Sequence, residues 1–149
     1  MNSITDVAVL EIKRVFDAAP ALVFDAWTNR EEWQSWIGPE GVNCDVPLLD
    51  ARVGGRYSVV MHLSEGRTIH VAGEFKAIEK PKRLVFTWGP ASGPQVTLVT
   101  ITLREMNGKT ELTLRHEGLE NIENRDSHGK GWNSALNKLV RYLAHKVTA

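Results

Sequence analysis

The chain has 149 residues, 42% apolar and 24% charged, with lysine plus arginine equal to aspartate plus glutamate at 18 each. That composition predicts one globular domain with a real core, and it supplies no net field to draw the chain to nucleic acid or anionic lipid. A lone cysteine, Cys44, excludes an internal disulfide and suggests a reducing compartment; with neither a secretion signal nor a membrane-length apolar run, a cytoplasmic location without membrane insertion is expected.

Val7 to Phe16 is rich in β-branched and apolar residues and reads as a first strand, with Ala8, Leu10, Ile12 and Phe16 on one face and Arg14 intruding on it. Asp17 or Ala19 can cap a helix whose first turn suits Pro20. Ala21 to Thr28 then forms a short helix with Leu22, Val23, Ala26 and Trp27 on one side. Asn29 to Trp36 forms a second, holding Trp33, Trp36 and Ile37, and Gly38-Pro39-Glu40-Gly41 ends it.

A series of strands is expected next. Val42 to Leu49 is interrupted by Pro47, which points to an edge or a bulge. Arg56 to Leu63 follows a turn at Gly54-Gly55; Tyr57, Val59 and Met61 alternate with Val60 and His62, so its register stays open. Arg67 to Glu79 carries Ile69, Val71, Phe75 and Ala77 on one face and Thr68, His70, Glu74 and Lys76 on the other, the mark of a sheet with one wet side. Arg83 to Trp88 turns Leu84, Phe86 and Trp88 one way, and Gln95 to Glu105 offers Val99, Ile101 and Leu103. Asn107-Gly108 is a strong hairpin signal leading into Lys109 to His116, which carries Leu112 and Leu114.

After Gly118 a polar loop, LENIENRDSH, is expected to lead to a long helix. From Arg125 to Val147, Trp132, Leu136, Leu139, Leu143 and Val147 recur three to four residues apart and share a face. Asp126 or Ser127 can cap its start. Gly129 and Gly131 weaken the first turn, which places the firm start nearer Trp132. The order predicts an α+β architecture: a curved antiparallel sheet of about seven strands wrapped around the long C-terminal helix, with two short helices after the first strand.

Five pieces carry a resemblance to a known family. They are FDAAPALVFDAWTNREEWQSWIGPEG from Phe16 to Gly41, DARVGGRYSVVM from Asp50 to Met61, GEFKAIEKPKRLVFTW from Gly73 to Trp88, TLREMNGKTELTLRHEGL from Thr102 to Leu119, and HGKGWNSALNKLVRYL from His128 to Leu143. Taken in this order, the chain resembles the START-like (SRPBCC) superfamily, with the helix-grip fold of the birch-pollen allergen, and within it the type named after the activator of the heat-shock protein 90 ATPase. The resemblance implies a cavity between sheet, short helices and long helix. Relatives in the wider superfamily bind lipids, sterols, hormones or polyketides, and some are cyclases or hydrolases. The eponymous co-chaperone needs a separate N-terminal domain for which this chain has no room.

Candidate residues follow from the faces. Trp33 and Trp36 sit where that fold places its cavity mouth, and either contact a flat apolar ligand or plug the core. Val71, Phe75, Phe86, Trp88 and Val99, joined by Tyr57, Val59 and Met61, are either cavity lining or solid core, a choice aromatic crowding leaves open. On the long helix Trp132 and Leu136 face the sheet, and the start of that stripe near Trp132 is the better place for ligand contact. Arg14 demands an acid, with Asp45, Asp50 or Glu74 available, or else orients a ligand carboxylate. His62 is an acid or base if it points inward. The five histidines show no metal-ligand spacing, and no nucleophile elbow, P-loop or dinucleotide fingerprint is present, so neither metal nor cofactor is expected. Cys44 reads as a small buried apolar group.

Binding of a small apolar or aromatic molecule in the cavity is therefore the leading expectation. A cyclase, dehydratase or hydrolase is the second, with His62, Arg14, Tyr57 and Glu74 as its polar groups. A co-chaperone-like interaction module is the third. Val85, Val96 and Leu98 would form the contact of a possible homodimer.

Overall fold

The computed structural model describes residues 8–148, and side chains as far as residue 146. Val7, the expected start of the first strand, and the side chain of Val147, placed on the apolar face of the long helix, lie outside the described residues. Strand β1 (Ala8–Phe16) leads into helices α1 (Pro20–Thr28) and α2 (Arg30–Trp36). Six strands follow: β2 (Asn43–Leu49), β3 (Arg56–His62), β4 (Thr68–Glu79), β5 (Arg83–Pro90), β6 (Thr97–Met106) and β7 (Lys109–Leu119). The last element is α3 (Ile122–Thr148). The sheet order is β1-β7-β6-β5-β4-β3-β2, antiparallel throughout. β2 to β7 form a meander, and β1 closes it by pairing with β7, so the two short helices span from one sheet edge to the other.

Local chemistry accounts for the joints. Pro20 opens α1, whose cap position Ala19 contributes no side-chain bond. Asn29 caps α2 by accepting from the Glu32 N–H at 3.0 Å. Pro47 lies in edge strand β2, where its missing N–H breaks no ladder, and the register shifts between Asp45 and Leu48. Asn107 and Gly108 both take positive φ, at 54° and 84°, as the tight turn between β6 and β7 demands. In β3 the inward residues are Tyr57 and Val59, which are buried, with Met61 half-buried beside them.

The expected polar loop before the last helix is largely helical. α3 starts at Ile122, with Asn121 as the cap accepting from the Asn124 N–H at 2.7 Å, so neither Asp126 nor Ser127 caps it. Both glycines lie inside the helix. At 27 residues α3 runs roughly 40 Å and gains from sheet contact what the glycines lose in propensity. Its stripe of Trp132, Ala135, Leu136, Leu139 and Leu143 is buried against the sheet.

Among the described residues no acid pairs with Arg14. Its guanidinium instead donates to the Asn133 carbonyl at 3.3 Å and to the side-chain oxygens of Asn133 and Asn137 at 3.2 and 2.9 Å. At the half-buried sheet edge the charge keeps contact with water, so neutral oxygens on α3 suffice to hold it. Val85, named above for a dimer contact, is buried at 5% exposure; Val96, at 75%, is open.

Candidate functional site: a cleft beside an aromatic core

Beneath α3 the space divides in two. Toward α1 and α2 it is solid. Trp27 meets Trp36 edge-to-face at 4.7 Å between ring centres, Trp33 meets Tyr57 at 5.2 Å, and Tyr57 meets Phe86 at 5.5 Å. Phe75 packs against Phe86 at 6.1 Å. The Trp36 indole donates to the Ala26 carbonyl at 3.0 Å, and the Tyr57 hydroxyl to the Thr87 carbonyl at 2.5 Å. Burial holds the Tyr57 hydroxyl well above the ordinary tyrosine range, so it remains protonated. The indole N–H groups of Trp27 and Trp33 are buried without a hydrogen-bond partner. Each of these rings stands edge-to-face against a neighbour.

The other part is open: a cleft of about 240 Å³ remains beside this core. One wall is the segment Ile37, Gly38 and Pro39 after α2. The floor is sheet: Met61 of β3, Ile69 and Val71 of β4, and Trp88 of β5. The roof is the first half of α3, through Ser127, His128, Gly131, Trp132 and Ala135. None of these residues carries a permanent charge. The wall is fastened to α3 by polar contacts on its far side. Lys138 donates to the Ile37 and Pro39 carbonyls at 3.2 and 3.3 Å, and the Glu40 N–H donates to the Ser134 hydroxyl at 2.6 Å. Arg141 pairs with Glu40.

Gly131 is the informative member of the roof. A glycine inside a helix costs about 1 kcal/mol relative to alanine. Close packing does not require it, because a Cβ added at Gly131 would meet no atom within 4 Å. Gly129, two residues earlier and on another side of the helix, differs: a Cβ there would lie 3.3 Å from Leu10 Cδ1 on β1. One glycine admits a neighbour; the other borders empty space.

A buried polar chain ties the roof to the floor. His116 of β7 is fully buried. Its Nδ1 accepts from the Trp132 indole at 3.1 Å, and its Nε2–H donates to the Thr97 hydroxyl at 2.9 Å. Thr97 in turn donates to the Trp88 carbonyl at 2.5 Å. Because an indole only donates, the imidazole is the neutral Nε2–H tautomer. Burial, with His128 adding a smaller push, lowers its pKa to about 3. His128 stands edge-to-face on it at 5.0 Å and donates its own Nδ1–H to the Asn124 carbonyl at 2.9 Å.

The residues singled out from sequence fall into three groups. Met61, Val71, Trp88 and Trp132 border the cleft. Trp33, Trp36, Tyr57, Val59, Phe75, Phe86, Val99 and Leu136 are buried in the packed core instead. The polar groups lie elsewhere. His62 is exposed at the end of β3, 2.7 Å from Asp45 Oδ2; Glu74 pairs with Lys76 at 3.5 Å; Arg14 is held by the α3 asparagines. None of them borders the cleft, and neither does Tyr57. Sequence reading passed over Ile37, Pro39, Ile69, Ser127, His128, Gly131 and Ala135 as cleft residues. The signal available for them was a helix glycine with no turn to make.

A second, more polar depression of about 560 Å³ lies between α2, β2 and α3 and includes Cys44 and Lys138. Burial pushes the pKa of the Cys44 thiol up, so it stays protonated, and burial lowers that of the Lys138 ammonium. Among the described residues no group of three or more His, Cys, Asp or Glu is arranged to hold a metal, and no helix is long and apolar enough to cross a membrane.

Comparison with known proteins places this geometry. The sequence profile described as "Activator of Hsp90 ATPase homolog 1-like protein" matches residues 17–144. A crystal structure of a protein from Chromobacterium violaceum is similar at TM-score 0.84 and 26% identity, covering 91% of this chain and 96% of that one. The AHSA1 protein from Silicibacter pomeroyi is similar at TM-score 0.83 and 29% identity, covering 93% and 99%. A solution structure from Arthrobacter aurescens, 21% identical at TM-score 0.81 with 95% and 92% covered, shares the fold. No curated protein gives a significant match.

Proposed function

This chain belongs to the Activator of Hsp90 ATPase homolog 1-like family, and from that premise we propose that it binds a small apolar or aromatic molecule in the cleft beneath the first half of α3. The observation that carries the reading is Gly131. A helix that retains a glycine where alanine would fit, at about 1 kcal/mol, on the border of an apolar hollow, is keeping that hollow clear. The floor and roof are largely aliphatic and aromatic; besides the indole N–H groups of Trp88 and Trp132, Ser127 and His128 supply the polar side chains among the described residues, which is the composition of a small-molecule site. Its size suits a compact ligand: an engineered cavity of about 150 Å³ accommodates benzene, so about 240 Å³ admits one or two fused rings.

The test is calorimetric titration with one- and two-ring aromatic compounds, on the native chain and on Gly131→Leu. The native chain binds, and the leucine variant, whose side chain enters the open space, loses affinity at least tenfold while remaining folded. Equal affinity of the two proteins would remove the cleft as the binding site. The enzymatic reading loses the groups that motivated it, since Arg14, His62, Tyr57 and Glu74 do not converge on any common point.

A further inference from the structure

We infer that the cleft selects a neutral ligand carrying a hydroxyl or N–H donor, such as a phenol, and that His128 reads that donor by accepting its hydrogen bond at Nε2. This rests on the cleft being the binding site and goes beyond it by naming the ligand's polar group and the residue that recognises it.

Three observations carry it. First, the tautomer of His128 is set by its surroundings. Nδ1 lies 2.9 Å from the Asn124 carbonyl, which can only accept, so Nδ1 carries the hydrogen and the neutral ring has its lone pair on Nε2. Second, the ring is placed from behind. His116 stands edge-to-face at 5.0 Å and is itself locked between Trp132 and Thr97, with no lone pair or N–H left to bond His128 or a ligand. The pair therefore divides its work: His116 is a buried spacer, and His128 is the one half-buried imidazole on the cleft border. Third, among the described residues no lysine or arginine borders the cleft. A carboxylate entering it would leave water with no cation to meet, a cost that a neutral hydroxyl avoids. Ser127, the other polar group, is exposed and keeps its contact with water.

Three probes of similar shape separate these ideas: 2-naphthol, 2-methoxynaphthalene and 2-naphthoate, titrated calorimetrically at pH 7.5. The naphthol is expected to bind about five- to tenfold more tightly than the methoxy compound, the ratio an ordinary neutral hydrogen bond supplies. The naphthoate is expected to bind more weakly than either. In His128→Phe, which keeps a ring against His116 but has no acceptor, the naphthol advantage falls to within twofold; His128→Gln, whose amide oxygen can accept, recovers part of it. If naphthol and methoxynaphthalene bind the native chain equally, His128 does not read a donor, although the cleft remains a binding site. If naphthoate binds best, the selection for a neutral ligand is wrong. If none of the three binds, the cleft reading itself fails and this inference falls with it. Should the phenylalanine variant not fold, the naphthol-to-methoxy ratio on the native chain decides alone.

Discussion

Two regions under the same helix are built from the same kinds of residue and end in opposite states. Near α1 and α2, Trp27, Trp33, Trp36, Tyr57, Phe75 and Phe86 interlock edge-to-face and leave no opening. Near the start of α3, Trp88 and Trp132, 5.1 Å apart, meet Met61, Ile69 and Val71 across an open cleft. Residue type does not set the difference. What sets it is which element reaches across. In the solid region two short helices bring large rings down onto the sheet. In the hollow region the roof offers glycine and alanine, Gly131 and Ala135, and the facing wall is a loop tied by Ser134, Lys138 and Arg141 to the next turns of α3, with no large ring reaching across.

The comparison breaks most plainly by truncation. Phe86 touches Trp27, Trp33, Tyr57 and Phe75, so Phe86→Ala opens a cavity where nothing can collapse into it and costs roughly 3–5 kcal/mol. Met61→Ala enlarges a space already open to solvent and costs under about 1 kcal/mol. Urea denaturation of both variants reads the contrast. Similar losses would mean that the cleft wall is packed as tightly as the core.

At the boundary between the two regions stands His116, and acid probes it. Its folded pKa of about 3 lies below the ordinary 6.5 of an unfolded histidine. The unfolded chain therefore binds the proton first as pH falls. The stability associated with a neutral buried imidazole is fully present above pH 6.5 and declines below it toward about 3, by at most about 1.4 kcal/mol per pH unit. His116→Gln has no proton to gain, and its amide can both accept from Trp132 and donate to Thr97. Melting temperatures from pH 7.5 to 4.5 should fall less steeply in the variant. Parallel slopes would show that His116 is already protonated in the folded chain or reaches water freely.

The fold was legible because its signals are local. Leu112 and Leu114 on one face of β7, Pro47 on an edge, Asn107-Gly108 in a tight turn, and the spacing of Trp132, Leu136, Leu139 and Leu143 each report on a few neighbouring residues. The alternation expected along β4 breaks after Phe75, where a register shift places Ala77 opposite Val85 and brings Ile78 to the core in its stead. The division between core and cleft was not legible. Periodicity puts Tyr57, Val59 and Met61 on one face, but says neither whether that face turns inward nor what stands opposite. Tyr57 meets Trp33, whereas Met61 meets open space. The His116–His128 contact joins residues on a strand and a helix that no spacing rule connects. Arg14 misled for a related reason: its partners are neutral amides, and a search for acids passes over Asn133 and Asn137. The glycines misled in the opposite direction, since propensity alone moves the helix start toward Trp132, while Gly129 is buried against Leu10 within the helix and the Asn121 cap sets the start at Ile122.

Those glycines also give the smallest test and the finest one. Gly131→Ala adds a methyl group to vacant space and removes the flexibility of glycine from the unfolded chain, so it stabilises by about 0.5–1 kcal/mol, or roughly 1–4 °C in melting temperature. Gly129→Ala gains the same helix propensity but sets its Cβ 3.3 Å from Leu10 Cδ1, close enough that Leu10 must yield by a few tenths of an ångström. Its net effect should sit near zero or on the destabilising side. Two identical substitutions, two positions apart on one helix, then report the two interiors separately: a gain at 131 alone marks a hollow above the sheet there and contact at 129. Equal gains would place β1 farther from α3 than the Leu10 contact implies, and a loss at 131 would mean that the roof of the cleft is already touching something.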